Sequence, residues 1–411
     1  MPGLPFGFDL GAVDFAQLTR MLQSSGPVNW EVARTAAEWM ATEGEPEPMI
    51  APATRAELED LARAAQSRVA DATGITEVHV ARVEVLDRRG WVTRHERALR
   101  PVLEALATRF GALLDAGAHV EDLEGVDLEA WARELGLPSV PGITPIPPEM
   151  MANLLPQLAP LLLGLQVGSM LGYLAQHALG RYDWALPSAD EPTMSFVARN
   201  LDDFGREWSL PATDLRFCVA LHEAIHAAVR SRAWVRELDV ALATGYVGAY
   251  DLDADVVERA FGDLDPSDPE TIRRLAASPE RLLGAMQSER QLGVLRQLQD
   301  FHALLGAYAA ALLENLATPL VPTLHQILEA IRRHRLERGE AERFVEGLLG
   351  AKIDRAADER ADAFCAGVVE RAGVAGLDRL WDRASMLPTP PELEAPGLWL
   401  ARIELDDTQE A

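Results

Sequence analysis

Apolar residues recur at three- and four-residue spacing over residues 12–42, 53–73 and 92–116, the period of helices that bury one face. The Pro/Glu-rich stretch "TEGEPEPMIAP" separates the first two. A different pattern follows in "LLPQLAPLLLGLQVGSMLGYLAQHALG" (154–180), which is apolar on every side and carries Gly164, Gly168 and Gly172 four residues apart. That glycine spacing lets two helices approach closely. Pro156, Gln157, Pro160 and Gln166 interrupt the run and no basic residue flanks its start, so it is predicted as a buried core helix and not a membrane span.

Prolines and glycines crowd "LGLPSVPGITPIPPEM" (135–150) and suggest a division there. The expectation is an N-terminal helical region, residues 1–145, and a second region, residues 146–411, which could also form one compact unit with the first. Beyond the apolar run come the turn-like "GRYDWALPSADEPT" and "MSFVARNL", whose alternation predicts a short strand. "SLPATDLRF" offers Thr213 or Asp214 as the N-cap of the next helix. Residues 253–262, 279–316, 320–338, 340–350 and 353–372 are helical by the same period. The fold class expected is mostly α, multi-helical, with at most a small β-sheet.

Composition narrows the function classes. Apolar residues make 48% of the 411 and aromatics only 6%, so Leu, Ala and Val must fill the core, a mixture that favours helices. The net charge of −26 repels phosphate backbones and anionic lipid, so neither nucleic acid nor membrane insertion is expected. Cys218 and Cys365 are too few for a disulfide scaffold, and "MPGLPFGFDLGAVDF" lacks the pattern of a secretory signal. A cytoplasmic protein is expected.

The candidate chemistry lies in "LHEAIHAAV" (221–229). Positions four apart share a helical face, so His222 and His226 present two imidazoles suited to one tetrahedral Zn2+. Glu223 stands beside the first, where a carboxylate can take a proton from metal-bound water. Val219, Ala220, Ala224, Ile225, Ala227 and Ala228 give an uncharged frame. An ordinary helix with two satisfied histidines is the plain alternative. The chain continues "AAVRSRAW", with Arg232 where a third histidine of the metzincin pattern would stand, so a third ligand must come from elsewhere.

"SSGPVNWEVAR", "GRYDWALP", "LRFCVALHEAIHAAV", "LLGAKIDR" and "LPTPPELEAPGLWLARI", in that order, resemble blocks of a family of zincin-like hydrolases assigned as zinc-dependent metalloproteases. The family is common in actinobacteria, and some members are linked to biosynthesis of a deazaflavin coenzyme. The resemblance implies a zincin-like helical fold, with the second region as the catalytic one, and a hydrolase, in the first instance a metallopeptidase, whose peptide or small-molecule substrate is unknown. It also implies a third-ligand glutamate where this chain has Gly306. A replacement is available in "AADERADAFCAG" (356–367), which resembles the segment completing other glutamate-type zincin sites with Asp358 at the ligand position. Glu359 has the longer reach and is the first choice; Asp362 could orient a histidine, and His302 is a further candidate. A solvated acidic helix face is an equal alternative. Tyr182 and Asp183 could bind an oxyanion or buttress their loop. Two functions are therefore expected: a zinc hydrolase using His222, His226 and Glu359 as ligands with Glu223 as base, or a catalytically impaired zincin-like binding or scaffolding protein.

Overall fold

The computed structural model describes residues 26–117, 148–184, 186–250, 288–336 and 354–410, and these are mostly helical. Within the helix expected over 12–42, the described part bends at residues 26–28, with Gly26 at φ 130°, and forms helix α1 (Trp30–Thr42). Asn29 caps it, its side-chain oxygen accepting the Val32 N–H at 3.1 Å. Helix α2 (Pro52–Thr73) opens on proline and stops at Gly74, which takes the left-handed conformation at φ 71°. A 3-10 turn (Thr76–Val80) then leads into strand β1 (Arg82–Leu86) and helix α3 (Arg88–Gly117).

The apolar run forms helix α4 (Pro148–His177). Strand β2 (Thr193–Val197) lies parallel to β1 in a two-stranded sheet, from Arg82 opposite Thr193 to Leu86 opposite Val197. Helices α5 (Ala198–Glu207), α6 (Ala212–Ser231) and α7 (Ala233–Gly248) follow. The chain ends in α8 (Glu289–Ala317), α9 (Leu324–Leu336), α10 (Arg355–Ala372) and α11 (Pro396–Glu410), with short helical turns before the last. The expectations for 12–25, 135–147, 253–262, 279–287, 337–338, 340–350 and residue 353 lie outside the described residues.

Two sequence expectations are corrected. Residue Pro211 occupies the N-cap of α6 with no side-chain cap, so Thr213 and Asp214 fall inside the first turn. Their side chains reach other segments: Thr213 donates to Glu57 at 3.5 Å, and Asp214 accepts from the Thr323 hydroxyl at 2.6 Å. Helix α9 begins at Leu324 and not at residue 320, because Pro322 sits in the turn that precedes it. Strand β1 was not foreseen from the sequence at all.

One buried cluster joins α2, the sheet, α6, α8, α10 and the C-terminal segment, with Phe196, Tyr308, Phe364, Trp381 and Trp399 at its centre. A second joins α1, α3, α4 and α7 around Trp91, Leu99, Leu171 and Tyr246. Both draw on residues before and after position 145. Among the described residues no helix is long and apolar enough to cross a membrane.

The glycine stripe of α4 fixes how α1 lies on it. A Cβ on Gly164 or Gly168 would run into the carbonyl oxygens of Asn29 and Ala33, and one on Gly172 would stand 2.6 Å from that of Ala37. Glycines four apart thus receive the backbone of residues also four apart. The N–H of Asn29 donates to Pro160 at 2.9 Å, and the Gln176 side chain donates to the Met40 carbonyl at 2.6 Å, closing both ends. Gly168→Ala is expected to lower unfolding free energy by about 1–3 kcal/mol, the cost of overpacking a tight contact. Urea unfolding checks this, and an unchanged midpoint would refute the tight packing.

Candidate functional site

His222, Glu223, His226 and Arg230 follow one another along α6. The two imidazoles lie 4.4 Å apart between ring centroids, with His222 the more open to solvent. Glu223 reaches towards the loop before β2, with its Oε1 also 3.9 Å from His222 Nδ1. It is fully buried, its Oε1 accepting the Tyr182 N–H at 2.9 Å and its Oε2 the Ser195 N–H at 3.0 Å. Ser195 is the middle residue of β2, so the carboxylate closes a backbone donor of the strand. Burial pushes the Glu223 pKa up to about 8, against the pull of the N–H donors.

The loop before β2 is built to receive that carboxylate. Gly180 lies so close that a Cβ there would overlap Glu223 Oε1. Asp183 accepts the N–H groups of Leu179 and Gly180, the latter at 2.9 Å, and Trp91 donates its indole N–H to the Gly180 carbonyl at 2.9 Å. His95 stacks on Trp91 at 3.6 Å and holds the Trp91 carbonyl; burial, and then the nearby Arg181 charge, lower its pKa to about 3, so the ring is neutral.

A second set of contacts engages His226. Tyr182 stacks on its ring at 5.4 Å, and the Arg230 guanidinium lies 5.0 Å from the Tyr182 ring. Arg230 Nη1 donates to His226 Nδ1 at 2.8 Å, while its Nη2 lies 3.7 Å from buried Asp239 of α7. Asp239 in turn holds His302 Nε2 of α8 at 2.9 Å. Burial alone would raise the Asp239 pKa, but the His302 and Arg230 charges outweigh it and hold it below the usual carboxylate range. Three helices are thereby tied at one point.

Among the described residues, Asp358, Glu359 and Asp362 do not gather with the histidines into a group that could hold a metal. Gly306, one turn beyond His302, is exposed and has open space where a side chain would be. Glu359 is exposed and pairs with Arg355 at 2.9 Å. Asp358 is half-buried and Asp362 exposed, on a helix that packs against α8. Cys218 is a buried thiol whose pKa burial, then Asp214, pushes up to about 12. Sequence reasoning missed Arg230 and Asp239. Arg230 was within reach, since it stands four residues after His226 and eight after His222; Asp239 gave no local signal.

The donor set fits a tetrahedral metal poorly. Among the described residues no three His, Cys, Asp or Glu side chains gather as a metal would require. A guanidinium can only donate, so His226 Nδ1 must accept from Arg230, and the neutral ring then carries its proton on Nε2. A histidine ligating through Nε2 does the reverse, donating its Nδ1–H to an acceptor.

Comparison with known proteins places this geometry in a lineage. The chain resembles a crystal structure from Chloroflexus aurantiacus described as a "putative hydrolase with a novel fold", at 22% identity and a TM-score of 0.59, covering 92% of this chain and 99% of that one. At that identity the likeness speaks to the fold. No curated protein matches. The profile of the zincin-like metallopeptidases matches residues 28–400, nearly the whole length and the motif helix with it. By that match, the chain belongs to the family of zincin-like metallopeptidases.

Proposed function

We propose that this metallopeptidase-like protein no longer hydrolyses and works instead as a binding protein, its His-Glu-x-x-His helix serving as a structural tie. The observation that carries this reading is the Arg230 N–H donated to His226 Nδ1 at 2.8 Å, which leaves the ring the wrong tautomer for ligation through Nε2. Support comes from both Glu223 oxygens being engaged by backbone N–H groups and from Gly306 at the position where the resemblance puts a glutamate. The buried, unpaired thiols of Cys218 and Cys365 suit a reducing, cytoplasmic setting.

A second reading is the zinc hydrolase, with His222 and His226 as ligands, Glu359 completing the set and Glu223 as base. The 4.4 Å separation of the imidazoles and the family membership favour it. It requires Arg230 to leave His226 and Glu359 to leave Arg355.

Metal content separates the two. Protein purified without added metal is expected to hold far less than the one zinc per chain of a mononuclear site. Added zinc should leave the melting temperature unchanged. About one zinc per chain, lost in His222→Ala, would establish the hydrolase reading instead.

The structural role of Glu223 is tested by stability. Glu223→Ala leaves two buried N–H groups without acceptors at about 1–3 kcal/mol each, so a drop of several kcal/mol in unfolding free energy is expected. A near-neutral effect would remove the tie.

The raised pKa has a signed consequence. With a folded value of about 8 against an unfolded 4.5, this group's contribution is full below pH 4.5 and is lost as pH rises towards 8. Glu223→Gln cannot titrate, so its stability should fall less steeply between pH 5 and 8 than the parent's. Parallel profiles, measured by denaturant unfolding, would contradict the raised pKa.

A further inference from the structure

The stripe that runs along α6 from His222 through His226 continues to Arg230, each four residues after the last, so a cation of the chain itself stands on the motif's face. His226 uses its Nδ1 differently from two other helical histidines. His95 and His177 turn Nδ1 back to the carbonyl four residues before, that of Trp91 and of Tyr173, both at 2.9 Å. His226 instead offers Nδ1 forward, to Arg230 Nη1 at 2.8 Å. The guanidinium goes on to Asp239 of α7, 3.7 Å from its Nη2, and lies 5.0 Å from the centroid of the Tyr182 ring. Arg230, His226 and Asp239 are all buried.

A buried imidazole lone pair and a buried carboxylate on neighbouring helices both call for a positive partner between them. In a coordination site a metal ion is that partner, taking a histidine nitrogen and a carboxylate oxygen. A guanidinium meets the same need with N–H groups and a permanent charge, and its flat face also suits an aromatic ring. Asp239 holds His302 Nε2 of α8 at 2.9 Å through its other oxygen, so the carboxylate is oriented from both sides. The bridge therefore runs from α6 to α7 to α8 around one charge supplied by the chain.

We propose that the Arg230 guanidinium replaces a metal cation as the bridge from His226 to Asp239, and that the space it fills becomes a site for a small cation when the side chain is cut back. Arg230 is thus a positioning residue that sets the tautomer of His226 and holds α7 to the motif helix. This deepens the reading of the motif as a structural tie and rests on it. Zinc bound by the parent would sink that reading. A parent without zinc whose Arg230→Ala variant ignores added cations would sink only this one.

The experiment measures the melting temperature of the full chain and of Arg230→Ala, with methylguanidinium chloride, N-methylurea or zinc chloride added at equal concentration. Arg230→Ala leaves a buried carboxylate short of a partner and should melt several degrees below the parent. Methylguanidinium should restore more than half of that loss and leave the parent unchanged, as a ligand of the folded variant alone would. N-methylurea has the same shape without the charge and should restore nothing. Zinc should raise the melting temperature of the variant and not of the parent, because Arg230 no longer takes His226 Nδ1. Arg230→Lys, which keeps the charge, and Arg230→Met, which does not, cover the case in which the alanine variant fails to fold: the lysine variant should melt higher. The proposal is overturned if neither methylguanidinium nor zinc stabilises Arg230→Ala more than the parent, if N-methylurea restores as much as methylguanidinium, or if Arg230→Met is as stable as Arg230→Lys.

Discussion

The described part of the molecule turns on one buried carboxyl group accepting two backbone N–H groups. Glu223 leaves helix α6 and is met by the N–H of Tyr182 in the loop and that of Ser195 in the strand. A buried carboxylate without such donors would be prohibitively unfavourable, and the strand without it would expose an unpaired N–H in the core. Gly180 is bare because the carboxylate fills the space a side chain would take. The loop is then held from behind by Asp183 and Trp91, so helix, loop and sheet form one rigid unit.

From that unit the ionic contacts spread outward. Arg230 reaches from α6 to Asp239 of α7, and Asp239 to His302 of α8. Arg230 and Asp239 are both buried, and their opposite charges 3.7 Å apart make that burial tolerable. The histidines sit inside this network and not at its edge. His226 is stacked on Tyr182 and bonded by Arg230, an environment closer to a core histidine than to a ligand awaiting a metal. Arg181 and Asp190 line a small cleft with Tyr182, and each has a buried polar atom with no hydrogen-bond partner among the described residues.

Sequence periodicity identified most helices among the described residues, because burial of one face leaves a mark every three or four positions. The glycine stripe was legible for the same reason. Strand β1 was not: five residues wedged between a 3-10 turn and a helix carry too short an alternation, and their partner lies more than a hundred positions away. The N-cap of α6 was misplaced because proline starts a helix through its fixed φ without any side-chain bond.

By itself the sequence determined that helices dominate, that α4 must meet a backbone closely, and that His222 and His226 share a face with Glu223 beside them. Those properties follow from spacing along one helix, and spacing is local. The tertiary structure decided where the carboxylate of Glu223 points, that Arg230 takes His226 Nδ1, and that Arg355 holds Glu359 out in solvent. It also brought Arg181 and Asp190 into one cleft. Local spacing sets which face a side chain leaves from. Which partner it meets depends on segments brought together only by folding, and hydrogen bonds are made or refused over a few tenths of an ångström.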